Sequence, residues 1–300
     1  MMLDLQSWLL EHPYLLADGA MGTMLFASGL EHGDPPEHWN LEHPERVAAI
    51  HRGYLEAGSQ ILMTNTFGAN RLRLGLHNLQ DRVGELNRTA GELLRAEIRA
   101  SGKTALAAGD MGPSGGVLLP YGELEYEEAV AAFAEQAAAL MEGGVDLIWI
   151  ETMADLEEVR AAVEGVRQAS SEIPILTTMT FDTRGRTMMG VTPESAAESL
   201  LSLGVAGAGG NCGNGPDEII DVIRKMHVTR PDAVLVAKAN AGVPTLVGGK
   251  PVYRARPEDM TTYATQAYEA GARIIGACCG STPAHIQAIS AALREMEAAA

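Results

Sequence analysis

Residues 145–153 have the sequence VDLIWIETM, a nearly unbroken apolar run that ends in Glu151, Thr152 and Met153. Apolar residues without polar alternation are typical of a β-strand that is buried on both faces, as in a parallel sheet covered by helices. Seven further runs of this kind recur along the chain. They lie at 15–22, 60–68, 104–112, 174–181, 205–213, 233–242 and 272–280.

Helical patterns fill the segments between the runs, for example at 44–58 (PERVAAIHRGYLEAG) and 124–144 (LEYEEAVAAFAEQAAALMEGG). The second begins with glutamates and ends in glycine, which are helix start and stop signals. Eight strand–helix repeats in 300 residues predict an α/β fold, a single-domain (β/α)8 TIM barrel. The competing doubly wound sheet carries a glycine-rich fingerprint after its first strand, and the glycine spacing of DGAMG at 18–22 does not fit it. We therefore predict one domain over residues 1–300, with its core at about 14–290.

Composition and charge exclude several classes of protein. The chain has 46% hydrophobic and 20% charged residues, which excludes a disordered or collagen-like protein. Its formal net charge of −17 repels a phosphate backbone, so we expect no nucleic-acid partner. Polar residues interrupt every apolar run well before the roughly 20 residues of a membrane span. Residues 1–16 lack the basic start and cleavage site of a secretory signal. We therefore expect a cytoplasmic protein without a membrane partner.

Polar residues follow the predicted strands at the ends where barrel enzymes place their catalytic groups. In chain order these residues are Asp18, Asn65, Asp110, Glu151, Thr180, Cys212, Asn240 and the pair Cys278-Cys279. Most of the unusual polar residues of the chain are thus expected on one rim.

Three cysteines, Cys212, Cys278 and Cys279, end the sixth and eighth runs. An odd number in a reducing compartment argues against structural disulfides. Strands six and eight of a closed barrel flank strand seven, so the three sulfurs can converge. Three thiolates predict a zinc site, one ion per chain, with its fourth position open. The alternative is that these cysteines are small buried core residues.

The ligand set indicates the kind of reaction. Three thiolates on Zn²⁺ leave a net charge of about −1, so the ion is a poor Lewis acid for making hydroxide. A substrate thiol in the fourth position is still deprotonated, and its sulfur stays electron-rich. This chemistry is alkylation of a small thiol and not hydrolysis.

Six short stretches resemble the homocysteine S-methyltransferase family. They are DGAMGT at 18–23, TNTFGAN at 64–70, GPSG at 112–115, ETM at 151–153, GGNC at 209–212 and GACCG at 276–280. The family includes betaine–homocysteine methyltransferase, S-methylmethionine-dependent enzymes and the homocysteine-binding module of cobalamin-dependent methionine synthase. The resemblance implies zinc-dependent transfer of a methyl group to the thiol of L-homocysteine, giving methionine.

The resemblance also implies roles for residues at the rim. The cysteines hold zinc, and the sulfur of homocysteine becomes the fourth ligand. Glu151 binds the substrate ammonium, while Asp18, Gly19, Ala20 and Asn65 contact the amino-acid end. A salt bridge or helix cap remains the alternative for Glu151, and an ordinary Asp-Gly turn for Asp18.

Asn240, in KANAG at 238–242, has two interpretations. The resemblance implies that its side-chain oxygen takes the fourth zinc position when substrate is absent. The alternative is a turn asparagine that tolerates a left-handed conformation before Gly242.

The methyl donor is open. A betaine site needs aromatic faces around the quaternary ammonium, and Trp39, Phe67 and Tyr121 are the candidates. Trp39 is alternatively a packed loop anchor. Thr152 and Met153 after the glutamate resemble the methionine synthase module instead. The donor is thus a small molecule of the betaine or S-methylmethionine type, or a methyl-corrinoid such as methylcobalamin on a separate protein.

Other functions also remain open. The chain is alternatively a non-catalytic subunit that presents homocysteine or zinc to a corrinoid protein, or a methyltransferase for a different small thiol. A phosphate-binding lyase or isomerase would need a lysine at a strand end, and Lys238 is the candidate inside a run.

Overall fold

Eight parallel strands form the central sheet of the computed structural model, which describes residues 5–248 and 250–299. They are β1 (Leu15–Leu16), β2 (Ile61–Met63), β3 (Leu106–Met111), β4 (Leu147–Met153), β5 (Ile175–Met179), β6 (Gly207–Cys212), β7 (Leu235–Ala239) and β10 (Ala272–Ala277). A separate antiparallel hairpin contains β8 (Thr245–Val247) and β9 (Lys250–Val252).

The order in the sheet is β1-β10-β7-β6-β5-β4-β3-β2, and a parallel bridge between Ala17 and Ile61 joins its two edges. The sheet is therefore closed, and the predicted (β/α)8 barrel is confirmed.

Twelve α-helices surround the barrel in the described part of the chain. They are α1 (Leu5–Glu11), α2 (Gly22–Ala27), α3 (Trp39–Glu42), α4 (Pro44–Ala57), α5 (Arg71–Gly75), α6 (Val83–Ser101), α7 (Tyr126–Glu142), α8 (Leu156–Ala169), α9 (Pro193–Ser202), α10 (Pro216–Thr229), α11 (Asp259–Glu269) and α12 (Pro283–Ala299). Short 3-10 helices lie at Pro36–His38 and Gln80–Arg82.

The two helices predicted from their end signals are present. Helix α4 begins at Pro44 and ends before Gly58, whose φ of 103° is in the left-handed region that favours glycine. Helix α7 has Glu127 and Glu128 in its first turn, where carboxylates complement the helix dipole.

Two apolar cores explain why the strands lack polar alternation. Successive side chains of a strand point to opposite faces. In β4, Leu147 and Trp149 belong to the core inside the barrel, whereas Ile148 and Ile150 belong to the core between the barrel and its helices. Both faces of the strand are therefore buried.

Helix α1 lies against the inner core through Leu5 and Trp8. Both side chains are buried, so this helix covers the amino-terminal end of the barrel. No helix in residues 5–248 and 250–299 is long and apolar enough to cross a membrane.

Candidate active site

A cavity of about 370 Å³ lies at the carboxyl ends of the strands. Its wall includes the side chains of Asp18, Asp110, Glu151, Cys212, Lys238, Cys278 and Cys279. The size lies in the ordinary range for a small-molecule site.

The three cysteine sulfurs converge in this cavity. Cys212 is the last residue of β6, and Cys278 and Cys279 follow β10, with β7 between the two strands. The Sγ atom of Cys212 is 2.9 Å from that of Cys278 and 3.7 Å from that of Cys279. All three sulfurs lie within 4.8 Å of one another. Tetrahedral zinc with Zn–S bonds near 2.3 Å places its sulfurs roughly 3.7 Å apart, so the cluster fits the ion.

Backbone contacts fix this cluster. Cys212 has a φ of 60°, an uncommon left-handed conformation for a residue other than glycine, and Gly213 continues it at 68°. The N–H of Cys278 donates to the carbonyl of Ala239 at 2.7 Å, and the hydroxyl of Ser281 donates to the carbonyl of Cys278 at 2.8 Å. These contacts therefore fix the positions of the two turns that carry the sulfurs.

The electrostatics of the thiols favour a bound cation. Hydrogen bonds from Cys212 and Cys278 lower the pKa of Cys279 to about 3. Hydrogen bonds with Cys278 and Cys279, followed by burial, raise the pKa of Cys212. The first thiolate thus forms easily and the next one does so only with a positive charge nearby, which a metal ion supplies.

Asn240 lies just after β7, at the rim between the cysteine strands. Its Nδ2 donates to the carbonyl of Gly213 at 2.8 Å. Its Oδ1 is buried without a hydrogen-bond partner in the described residues. A buried acceptor without a donor is costly, and an amide oxygen of this kind fits a cation ligand.

Tyr253 belongs to the cluster and was missed from the sequence. Its hydroxyl donates to Cys279, which helps to lower the pKa of that thiol. Its ring covers Gly280, where a Cβ atom would lie 2.2 Å from the ring. Gly280 is therefore required for this contact.

Glu151 lies on β4 beside the cysteines. Its Oε2 accepts from Nδ2 of Asn211 at 3.1 Å, and Asn211 directly precedes Cys212. The Oδ1 of Asn211 accepts in turn from the N–H of Thr152 at 3.0 Å. Burial, followed by the charge of Cys278, raises the pKa of Glu151 to about 8. A cationic group at this carboxylate would offset its burial. Asn211 was not among the predicted site residues, although the GGNC motif contains it.

The carboxylate of Asp18 is already paired. Its Oδ1 accepts from Nζ of Lys238 at 2.8 Å, and its Oδ2 accepts from the N–H of Met63 at 2.8 Å. Burial raises the pKa of Asp18 and Lys238 opposes the rise. Lys238 therefore holds a buried ion pair.

The turn after Asp18 is tightly packed. A Cβ atom on Gly19 would lie 2.5 Å from Oγ of Ser281. The N–H of Ala20 donates to Oγ of Ser281 at 2.9 Å, and the hydroxyl of Tyr54 donates to the carbonyl of Ala20 at 2.6 Å. Ser281 thus connects this turn to the cysteine turn, and Gly19 and Ala20 line the cavity.

Asn65 lines the cavity but its amide group holds a loop. Its Nδ2 donates to the carbonyl of Pro36 at 2.8 Å and to Oδ1 of Asn40 at 3.3 Å. Asn65 therefore positions the segment at 36–40 next to the cavity.

The three aromatic residues predicted for a donor cage do not come together. Phe67 lines the cavity, and the guanidinium carbon of Arg73 lies 5.6 Å from its ring centroid. Trp39 is 5% exposed and packs against His43 and Arg46, so it anchors the loop. Tyr121 is 82% exposed and contributes nothing to the cavity wall. Phe67 is the only Phe, Tyr or Trp of the described residues in that wall.

Three charged or titratable residues that were not predicted from the sequence are in the cavity wall on the side of Phe67. They are Glu37, Arg73 and His77. Oε1 of Glu37 accepts from the N–H of Gly68 at 2.6 Å, and burial raises the pKa of Glu37. This side of the cavity therefore offers both signs of charge.

Comparisons with known proteins agree with this geometry. A sequence model described as homocysteine S-methyltransferase matches residues 15–293. The methionine synthase of Mycobacterium tuberculosis is 34% identical over 94% of this chain and 25% of its own length. That of Mycobacterium leprae is 33% identical over 93% of this chain and 24% of its own length. The chain thus spans about a quarter of these relatives.

Crystal structures of the homocysteine methyltransferase MmuM from Escherichia coli are also similar, at 25% identity over 96% of this chain. The oxidized form gives a TM-score of 0.82 over 98% of its chain, and the metallated form gives 0.81 over 99%.

Proposed function

The chain belongs to the homocysteine S-methyltransferase family, and we propose that it transfers a methyl group to the thiol of L-homocysteine, giving methionine. The observation that carries the proposal is the convergence of Cys212, Cys278 and Cys279 beside Glu151 in one cavity. The cysteines then suit a sulfur, and the carboxylate beside them suits an ammonium group. We further propose that residues 1–300 act as one domain, and the cytoplasmic location stays a prediction.

One Zn²⁺ per chain is proposed at Cys212, Cys278 and Cys279, with Oδ1 of Asn240 as a further ligand when substrate is absent. The unpartnered state of that oxygen and the spacing of the sulfurs support this set. When bound there, zinc acidifies and orients the substrate thiol while the sulfur stays nucleophilic.

The other residues hold the amino-acid end. Glu151 binds the substrate ammonium, and Asn211 orients Glu151 through the 3.1 Å hydrogen bond. Because Asn211 directly precedes Cys212, the ammonium and sulfur positions are fixed relative to each other. The packed turn at Asp18, Gly19 and Ala20 closes the same end of the cavity, with the charge of Asp18 neutralised by Lys238. This arrangement keeps the thiol near the approaching methyl group, which lowers the entropic barrier.

The donor we propose is a small molecule of the betaine or S-methylmethionine type. Arg73 offers positive charge to a donor carboxylate, and Phe67 offers an aromatic face to an onium group. The cavity continues from these residues to the cysteines.

A second candidate is a methyl-corrinoid on a separate protein. The similarity to methionine synthases, of which the chain spans about a quarter, favours it. The chain would then present homocysteine to its partner.

Methionine formation by the zinc-loaded chain tests both candidates. Homocysteine is supplied with betaine, S-methylmethionine or free methylcobalamin, and cysteine replaces homocysteine as the acceptor control. Turnover with one small donor supports the first candidate. No turnover with any donor, despite homocysteine binding, supports the corrinoid partner. Methylation of cysteine but not of homocysteine contradicts the assigned acceptor.

A further inference from the structure

Asp110 has a buried carboxylate oxygen that no described residue satisfies. It is 5% exposed and lies in the cavity wall, and its Oδ1 has no hydrogen-bond partner in the described residues. Its backbone is well held, since its N–H donates to Oγ1 of Thr64 at 3.0 Å and its carbonyl accepts from Oγ1 of Thr66 at 2.7 Å. The main chain is thus fixed, while Oδ1 of the side chain lacks a partner.

Asp110 and Glu151 occupy neighbouring inward positions. Strands β3 and β4 pair with Asp110 opposite Trp149, and Glu151 is the next residue of β4 on the same face. Burial raises the pKa of Asp110, and the charge of Glu151 raises it further. Two carboxylates therefore lie close together on the cavity wall.

Lys238, the cation whose charge lowers the pKa of both Asp110 and Glu151, is already engaged. Nζ of Lys238 lies 2.8 Å from Oδ1 of Asp18 and 2.9 Å from Sδ of Met63. The pair of Asp110 and Glu151 is thus left to an outside cation. A primary ammonium has three N–H donors and can donate to two carboxylates at once.

We propose that Asp110 binds the ammonium group of the acceptor amino acid together with Glu151. The inference rests on the proposed function, because it takes homocysteine as the acceptor. Two carboxylates select an amino-acid thiol over a thiol without an ammonium group more strongly than one carboxylate does. A thiol without the ammonium leaves both buried acids unpaired. A cationic methyl donor has the same charge, and the experiment separates the two ligands.

Calorimetric binding to the zinc-loaded full chain tests the proposal. The ligands are homocysteine and 4-mercaptobutanoate, which is the same thiol acid without the ammonium. We expect Asp110→Asn to weaken homocysteine by about tenfold to hundredfold, since a charged hydrogen bond is lost, and to leave 4-mercaptobutanoate within about twofold. Asp110→Ala should also weaken homocysteine and spare 4-mercaptobutanoate. This second variant keeps the test valid if Asp110→Asn does not fold.

Asp146→Asn is the matched control. Asp146 lies outside the cavity, where it pairs with Arg95. Its carboxylate accepts from the N–H of Ala107 at 2.8 Å, and Ala107 is on β3, the strand that carries Asp110. It should bind both thiols as the wild type does.

Any of the following results would overturn the inference. Equal weakening of both thiols indicates a structural role for Asp110, and unchanged homocysteine binding removes the proposed contact. A variant that binds homocysteine normally but has a raised KM for an onium donor places Asp110 at the donor. Failure of the wild-type chain to bind homocysteine contradicts the proposed function itself, and the inference with it.

Discussion

Replacing Lys238 by methionine removes the cation from a buried ion pair. Nζ of Lys238 lies 2.8 Å from Oδ1 of Asp18, and both side chains are 3% exposed. Loss of one partner of a buried pair typically costs about 3–5 kcal/mol, because the other charge stays without compensation. We expect the free energy of unfolding of Lys238→Met to fall by about that amount at pH 8.

The loss depends on pH with a definite sign. Burial raises the pKa of Asp18 above its ordinary value, and Lys238 opposes the rise. Without Lys238 the pKa of Asp18 rises further. A carboxyl whose pKa is higher in the folded state destabilises the fold as pH rises from the unfolded to the folded pKa. The loss from Lys238→Met is therefore smaller at pH 5 than at pH 8, because protonation of Asp18 in the variant is more favourable at the lower pH.

Urea unfolding of the metal-free protein, followed by circular dichroism at pH 5 and pH 8, measures both effects. The double variant Asp18→Asn/Lys238→Met is the control, since removal of both charges should recover more than half of the loss. A loss below about 1 kcal/mol at pH 8, or one equal at both pH values, would refute the buried pair.

Cys212→Ala, Cys278→Ala and Cys279→Ala should each lose bound zinc and methionine formation, because a three-thiolate site needs all three sulfurs. Metal analysis and product assay check this, and a variant with full activity contradicts the assigned ligands. Glu151→Gln should raise the KM for homocysteine by about tenfold to hundredfold. Glu157→Gln, at an exposed position, should leave this KM unchanged. A KM of Glu151→Gln equal to that of the wild type would exclude Glu151 from ammonium binding. His51 is fully buried, and burial lowers its pKa to about 4. The free energy of unfolding of the wild type should therefore fall by about 1.4 kcal/mol more than that of His51→Leu between pH 8 and pH 5.5. Urea midpoints that change equally with pH in both proteins would show that His51 does not take up a proton on unfolding.

The fold could be predicted because burial on both strand faces is visible in the sequence. The runs at 145–153 and 205–213 contain β4 and β6 of the structure. Closure of the barrel then determines which strands are neighbours. The convergence of Cys212 with Cys278 and Cys279 followed from the order of their strands in a closed barrel.

Partners across the barrel could not be predicted. Asp18 and Lys238 are 220 residues apart, and no local pattern indicates their contact. The unpartnered Oδ1 of Asp110 likewise depends on what the neighbouring strands leave unpaired.

The positions of loop side chains also could not be predicted from the sequence pattern. Trp39 is in a four-residue helix, too short for a periodicity that would show whether its ring faces the core or the cavity. Tyr253 follows the hairpin at 245–252, where the described side chains of β8 are exposed and give no burial pattern.

X-ray absorption at the zinc edge tests the three-sulfur site most directly. We expect one zinc per chain with three sulfur ligands and one lighter ligand before substrate is added, and four sulfur ligands after homocysteine is added. Absence of bound zinc, or a sulfur number that does not change with homocysteine, would contradict a site in which the cysteines activate the substrate thiol.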